Sequence, residues 1–298
     1  MKRYRPIYIA IMLAVTVCRS GLCLAQSYIG AAIAGDVPMT LDRTDFTHIR
    51  PSYGAGIGAV YEWHWQQLFV QTGIQYAFDC PAVGLDNVEM EQNMIDTRDV
   101  AFVYRGTLKD RTDQIQTGQL TIPLYIGAEW KGVYAMAGVK AVLHLHSSST
   151  MHAQLKTVGD YGSRYFEPIE NEPNHGYHDF LPVTVNKPIR LRMYDLRVGG
   201  EIGYTLHLEG DEEIKPSIRI GAFTEYGLMD MMESISGAPC LRPDYTQYLQ
   251  VDMTHAYDSF EGTEAQPHML ICGLRVTVLF QVGPSKPVPA KRHCMCLQ

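Results

Sequence analysis

From Tyr53 to Trp65 apolar and polar positions alternate with period two. Tyr53, Ala55, Ile57, Ala59, Tyr61, Trp63 and Trp65 form one series. Gly54, Gly56, Gly58, Val60, Glu62 and His64 form the other. One side is apolar and uncharged, and the other is small or polar, which is the signature of a β-strand with two unlike faces. The same alternation recurs over 68–78, 120–130, 133–146, 195–206, 218–226 and 270–281, with a weaker first copy in "SYIGAAIAG". No long stretch after Gln26 carries a helical period. The pattern predicts eight strands, most of roughly 9–13 residues, the length a tilted strand needs to cross a bilayer.

The connections alternate as well. Strands two and three join through "HWQQ", four and five through "WKG", and six and seven through "EGDEEIK". The other four connections, 36–50, 79–117, 147–189 and 229–267, are long and read as loops. In an up-and-down antiparallel barrel this places every short turn at one end and every long loop at the other. Transmembrane β-barrels have that asymmetry, with short periplasmic turns and long extracellular loops.

Aromatic residues mark both ends of the apolar face. Tyr61, Trp63, Trp65, Trp130 and Phe280 fall towards the short turns. Tyr53, Tyr76, Phe78, Tyr194 and Tyr226 fall towards the long loops. The strand middles are Ala, Val, Ile and Leu. Two aromatic girdles around an aliphatic band fit a membrane wall, because these rings favour the headgroup region. The opposite face carries Glu62, Glu129, Lys140, Asp195, Arg197, Glu201, Arg219, Glu225 and Arg275. Eight strands leave an interior that side chains fill, so these charges are expected to pair across it. A soluble lipocalin-like barrel with the apolar face inward is the alternative fold, and a small channel is the alternative role.

Composition narrows the classes. The 298-residue chain has a formal charge of −7 and 19% charged residues, with no dense basic run. Nucleic-acid binding therefore has no electrostatic footprint. "MKRYR", then "IYIAIMLAVTV", then "CLA" before Gln26 predicts a signal peptide over 1–25, cleaved after Ala25. Loss of Lys2, Arg3, Arg5 and Arg19 takes the charge from −7 to −11. The barrel is expected over 26–282, followed by a periplasmic tail, 283–298, that bears Cys294 and Cys296. An export signal implies an oxidising compartment, and Cys80 and Cys240 are candidates for a disulfide between two loops.

Three segments resemble a known family. "GQLTIPLYIGAEWKGVYAMAGVKAVL", "YDLRVGGEIGYTLHLEG" followed by "PSIRIGAFTEYGLMDM", and "LRVTVLFQV" resemble the fourth to eighth strands of the PorT-like outer-membrane β-barrel family. Thr121 departs from that pattern, which often has Glu before Ile-Pro. The resemblance implies the outer membrane of a Gram-negative bacterium. Some relatives are implicated in assembling the type IX secretion machinery. It supplies no catalytic residues.

Other chemistry is thin. His144 and His146 are expected to point inward near the loop end, and His152, His175 and His178 follow, but no recognised metal spacing accompanies them. His268 and the Ser147–Ser149 run are hydrolytic candidates by position only, with no nucleophile motif. The reading is a non-enzymatic envelope barrel without cofactor or metal. Its expected partners are outer-membrane lipid and other envelope proteins, met through the long loops.

Overall fold

The structure, a computed structural model, describes residues 26–41, 47–85, 87–95, 99–162, 179–208, 216–233, 241–243, 251–259 and 267–282. The expected signal peptide (1–25), His175, His178, Cys240 and the expected tail (283–298) lie outside these residues. The described strands are β1 (Gln26–Leu41), β2 (Thr47–Ile49), β3 (Tyr53–Trp65), β4 (Leu68–Cys80), β5 (Ala82–Leu85), β6 (Val88–Ile95), β7 (Ala101–Trp130), β8 (Val133–Asp160) and β9 (Leu181–Pro188). They continue with β10 (Tyr194–His207), β11 (Pro216–Gly227), β12 (Leu241–Pro243), β13 (Val251–Met253) and β14 (His268–Val282), with a short helix α1 (Ala256–Ser259) before β14.

Eight of these strands close into an antiparallel ring. β1 pairs with β3, β3 with β4, β4 with β7 and β7 with β8. β8 then pairs with β10, β10 with β11, β11 with β14, and β14 returns to β1. Seven of the eight ring pairs join consecutive ring strands, each reached by a simple antiparallel return, and β14 closes on β1. The tight turns at Gln66–Gln67 and Lys131–Gly132 use positive φ at Gln66 (57°), Lys131 (52°) and Gly132 (84°). That region matches the right-handed twist of the flanking strands. Lys131 is not glycine, so it carries some strain there.

Two of the connections expected as loops are largely strand. β7 has 30 residues and β8 has 28. Their pairing runs from Trp130↔Val133 at the turn to Val103↔Asp160 far above the ring. β6 and β5 line one edge of this ribbon, and β9 lines the other. Of the expected loop 79–117, residues 82–85, 88–95 and 101–117 are therefore strand. Of the expected loop 147–189, residues 147–160 and 181–188 are strand. The physical reason is continuity: once β7 and β8 are paired inside the ring, each added residue extends a ladder that already exists. Two register shifts interrupt the ladder, at Lys109/Thr112 and at Gly118/Gln119. Asp110, with φ 50°, lies in the first. The shifts behave as β-bulges, which turn the sheet and exchange its two faces.

Above the ring an apolar layer packs together. It joins Val83, Leu85 and Ile115 to Ile189, Met231, Met232, Ala256, Tyr257, Phe223 and Ile271. Phe223 and Ile271 belong to ring strands, so this layer lies across the upper mouth. A second cluster, with Phe102, Tyr104, Leu108, Met151, Leu155 and Met253, covers the inner face of the ribbon. The buried Arg111–Asp113 pair ties the two together. Arg111 Nε donates to Asp113 Oδ1 at 2.8 Å, and the Ala256 amide donates to Asp113 Oδ2 at 2.7 Å. Arg111 also donates to the Thr254 carbonyl at 2.5 Å, so the segment before α1 is anchored on the ribbon.

Candidate functional site

The outer wall of the ring is apolar over a defined height. Ile57, Ile74, Leu124, Ile126, Ile202, Ile220 and Leu274 are all exposed, with Leu124 at 53% and Ile202 at 62%. At the turn end, Tyr61, Trp65, Trp130 and Phe280 are exposed, and Trp63 is half-buried. At the other end, Tyr53, Tyr76, Tyr194 and Tyr226 are exposed, and Phe78 is half-buried. Tyr204 also stands exposed at the turn end, paired with Val133. Its position in the apolar series of β10, next to the end of the strand, was the signal for it. The 13 residues of β3 rise about 40 Å along the strand, or about 30 Å along the axis of a ring tilted by ~40°.

The outward face changes character along one strand. On β7 the outward series reads Ile126, Leu124 and Ile122 within the ring, then Gln116, Gln114 and Thr112 above it. On β8 it reads Ala135, Ala137 and Val139, then Ser148, Thr150 and His152. The boundary falls at the level of Tyr76 and Tyr194 on both sides of the hairpin.

Inside, the charges form three tiers. Nearest the turns, Arg219 donates to Glu62 at 2.5 Å and to Glu129 at 2.8 Å. Its guanidinium lies over the Phe69 and Tyr134 rings, at 4.4 and 4.9 Å. His64 contacts Glu62 at 2.8 Å, and His207 contacts Glu129 at 3.0 Å. In the middle, Arg275 bridges Glu201 at 2.5 Å and Glu225 at 3.3 Å. Lys140 also bonds to Glu225, Tyr134 donates to Glu201, and Tyr125 donates to Glu225 at 3.2 Å. In the upper tier, Arg197 donates to Asp195 at 3.3 Å and to Gln119 at 2.7 Å, and forms a looser ion pair with Asp79 at 3.7 Å.

Asp36 and Asp79 were missing from the sequence-derived set because 36–50 and 79–117 read as connections, and Gln119, uncharged, falls just before the alternation read from Leu120. Their alternation was the available signal. Asp36 continues the inward series Ala32–Ala34, and Asp79 continues Gln71–Gln75–Ala77. Glu62, Arg197, Arg219, Arg275 and Glu225 are 3% exposed or less. Charges this deeply buried persist only when paired and hydrogen-bonded.

Free space is small. Within the upper tier a cavity of about 30 Å³ remains, room for about two waters. Below Arg219 a polar cup of about 180 Å³ opens towards the turns, lined by Tyr28, His64, Glu129, His207 and Ser217.

The histidines do not converge. His144 turns inward with both ring nitrogens unpaired, whereas His146 is exposed, against the expectation that both face inward. The bulge at Gly118/Gln119 separates them: Gln119 pairs with His144 and Gly118 with His146, leaving Leu145 as the extra residue. His152 bonds to Thr184 at 2.9 Å. Among the described residues no three His, Cys, Asp or Glu side chains group as metal ligands. His268 bonds to the Gly227 carbonyl and Ser147 to the Ile189 carbonyl, so each is held by backbone. Cys80 is buried and Cys272 is exposed on the apolar wall.

No family model matches the chain, and no curated protein does. The PorT-like resemblance therefore rests on the quoted segments alone.

Proposed function

We propose that the chain is a non-enzymatic outer-membrane β-barrel protein with a structural or interaction role in the cell envelope. The observation that carries this reading is the change of the outward face from aliphatic to polar along β7 and β8, at the level of an aromatic ring. Water alone gives no reason for a wall to be greasy below one level and polar above it. A bilayer edge at that level does. The three-tier interior supports the same reading, since a lipocalin-like barrel would turn its apolar face inward.

The filled interior and the apolar layer over the upper mouth favour a plug over a channel. The ribbon above the ring supplies the surface for partners. The PorT-like segments support a link to protein secretion.

Membrane fractionation with a heat-modifiability gel tests the reading. The folded protein is expected in the detergent-extracted outer-membrane fraction, with a compact band that shifts on boiling. Recovery in the aqueous fraction without detergent would overturn it. Affinity capture from mild detergent then tests for a stable envelope complex.

A further inference from the structure

Above the upper aromatic level, one outward column of the wall turns basic. Along β10 the outward series reads Ile202, Gly200, Val198, Leu196 and Tyr194. The residues before the strand continue it as Arg192 and Arg190. Ile189 and Leu191, which alternate with them, are each 8% exposed and join the apolar layer. Arg190 is exposed and Arg192 is half-buried. The column thus runs aliphatic, aromatic, cationic. A lipid leaflet presents acyl chains, interface and phosphate in the same order.

Height decides whether these arginines meet the phosphates. A step of two residues rises about 7 Å along a strand, or about 5 Å along the axis of a ring tilted by ~40°. Arg192 therefore starts about 5 Å above Tyr194, and Arg190 about 10 Å above it. The headgroup layer occupies about 5–8 Å on each side of the hydrocarbon. Both guanidiniums reach it, because long cationic side chains bend towards a polar layer.

The two arginines are also open to an anion. Arg105, Arg111, Arg197, Arg219 and Arg275 each hold a carboxylate. Among the described residues Arg190 and Arg192 hold none. Asp230 faces His268 at 3.8 Å, and Glu233, opposite Arg190 in the backbone register, makes no ion pair with it. Arg192 Nε donates to the Asp230 carbonyl at 3.2 Å, which steadies the side chain and leaves its terminal nitrogens without a partner among the described residues. Continued from Ser148↔Pro188, the β8–β9 register sets the exposed His146 opposite Arg190 as a further hydrogen-bonding group.

Resting on the membrane reading above, we propose that Arg190 and Arg192 bind a phosphate of the outer-leaflet glycolipid, lipid A, with its acyl chains along Leu196 and Val198. Each guanidinium offers a planar fork that matches two phosphate oxygens. Leu196 and Val198 are each 37% exposed directly below, so the wall supplies an apolar contact that a free phosphate cannot use.

The test uses the full chain in detergent, with a compact heat-modifiable band required of the wild type and of each variant. Binding of bisphosphorylated lipid A is read by native mass spectrometry over a dilution series. About one lipid A per chain is expected on the wild type, and the double variant Arg190→Gln, Arg192→Gln is expected to bind at least ~10-fold more weakly. Neither arginine carries an ion pair, so the variant is expected to fold. Arg105→Gln, higher on the ribbon, is expected to bind as the wild type does, and dephosphorylated lipid A is expected to bind the wild type weakly. Equal binding by the wild type and the double variant would overturn the proposal and leave the barrel reading standing. An equal loss in Arg105→Gln would overturn it in favour of diffuse attraction. Displacement of lipid A by inorganic phosphate alone would overturn it in favour of a free-anion site. A wild type recovered without detergent in the aqueous fraction would overturn both the proposal and the membrane reading.

Discussion

Arg219 and Glu62 lie 157 residues apart in the chain and meet inside the ring, with side chains 3% and 0% exposed. The contact spans from β11 to β3, across β14 and β1. Such a pair couples the two walls of the ring, and it makes each charge dependent on the other for solvation.

Breaking that pair from the arginine side leaves Glu62, 0% exposed, with His64 as its remaining ionisable contact, whereas Arg219 would keep Glu129 if Glu62 were removed. Arg219→Ala is expected to cost about 3–5 kcal/mol, read from urea unfolding in lipid or detergent. Combining Glu62→Leu with Arg219→Met is expected to recover part of the loss, since the fully buried carboxylate is then gone and Glu129, which is partly exposed, keeps His207. A single substitution costing under about 1 kcal/mol would contradict the pairing.

The outer wall makes a depth-dependent prediction. Leu124→Arg or Ile202→Arg, in the middle of the apolar height, is expected to cost about 2–4 kcal/mol in a bilayer. Gln116→Arg, on the same face of β7 above the boundary, is expected to change stability by no more than ~0.5 kcal/mol. Equal costs at both levels would mean that no hydrocarbon surrounds the ring.

The segment leading into α1 depends on Asp113. Asp113→Asn weakens its bonds to Arg111 and to the Ala256 amide. Faster hydrogen exchange is expected around residues 254–257, with the ring amides unchanged. Uniform protection in the variant would show that the apolar contacts of Ala256 and Tyr257 hold the segment unaided.

Planar bilayers test the plug. The wild type is expected to give no stable single-channel steps, because paired side chains and the apolar layer leave no continuous path. Reproducible conductance that changes in Arg197→Ala would favour the channel reading.

The ring itself was legible in the sequence. Tyr53–Trp65 alternates without interruption, and its strand has those bounds. Leu120–Trp130 and Val133–Leu143 were equally clear, because inside the ring one side is apolar and the other is not. The ribbon was not legible, for a physical reason. At Asp110 an extra residue shifts the phase, so even positions such as Phe102, Tyr104 and Leu108 point inward below it in sequence, and odd positions such as Arg111 and Asp113 point inward after it. The buried side also changes chemistry, from charge within the ring to apolar packing above it. A period-two reading that expects one phase and one polarity loses the strand at that point. The same loss of phase at Leu145 hid the different fates of His144 and His146. The charged interior was partly legible: Glu62, Arg197 and Arg275 stood out within clean alternation, while Asp36 and Asp79 sat past the apparent strand ends.

The paired portion of β7 above the boundary, from about residue 101 to 117, makes a stalk of about 50 Å. It is braced on both edges, and part-way along it Arg111 and Asp113 hold the segment before α1. On the proposed membrane reading, anchoring and contact are mechanically separate: a partner meeting the ribbon near Tyr161 would stand well clear of the apolar wall. The tip can therefore vary in sequence without disturbing how the base is seated.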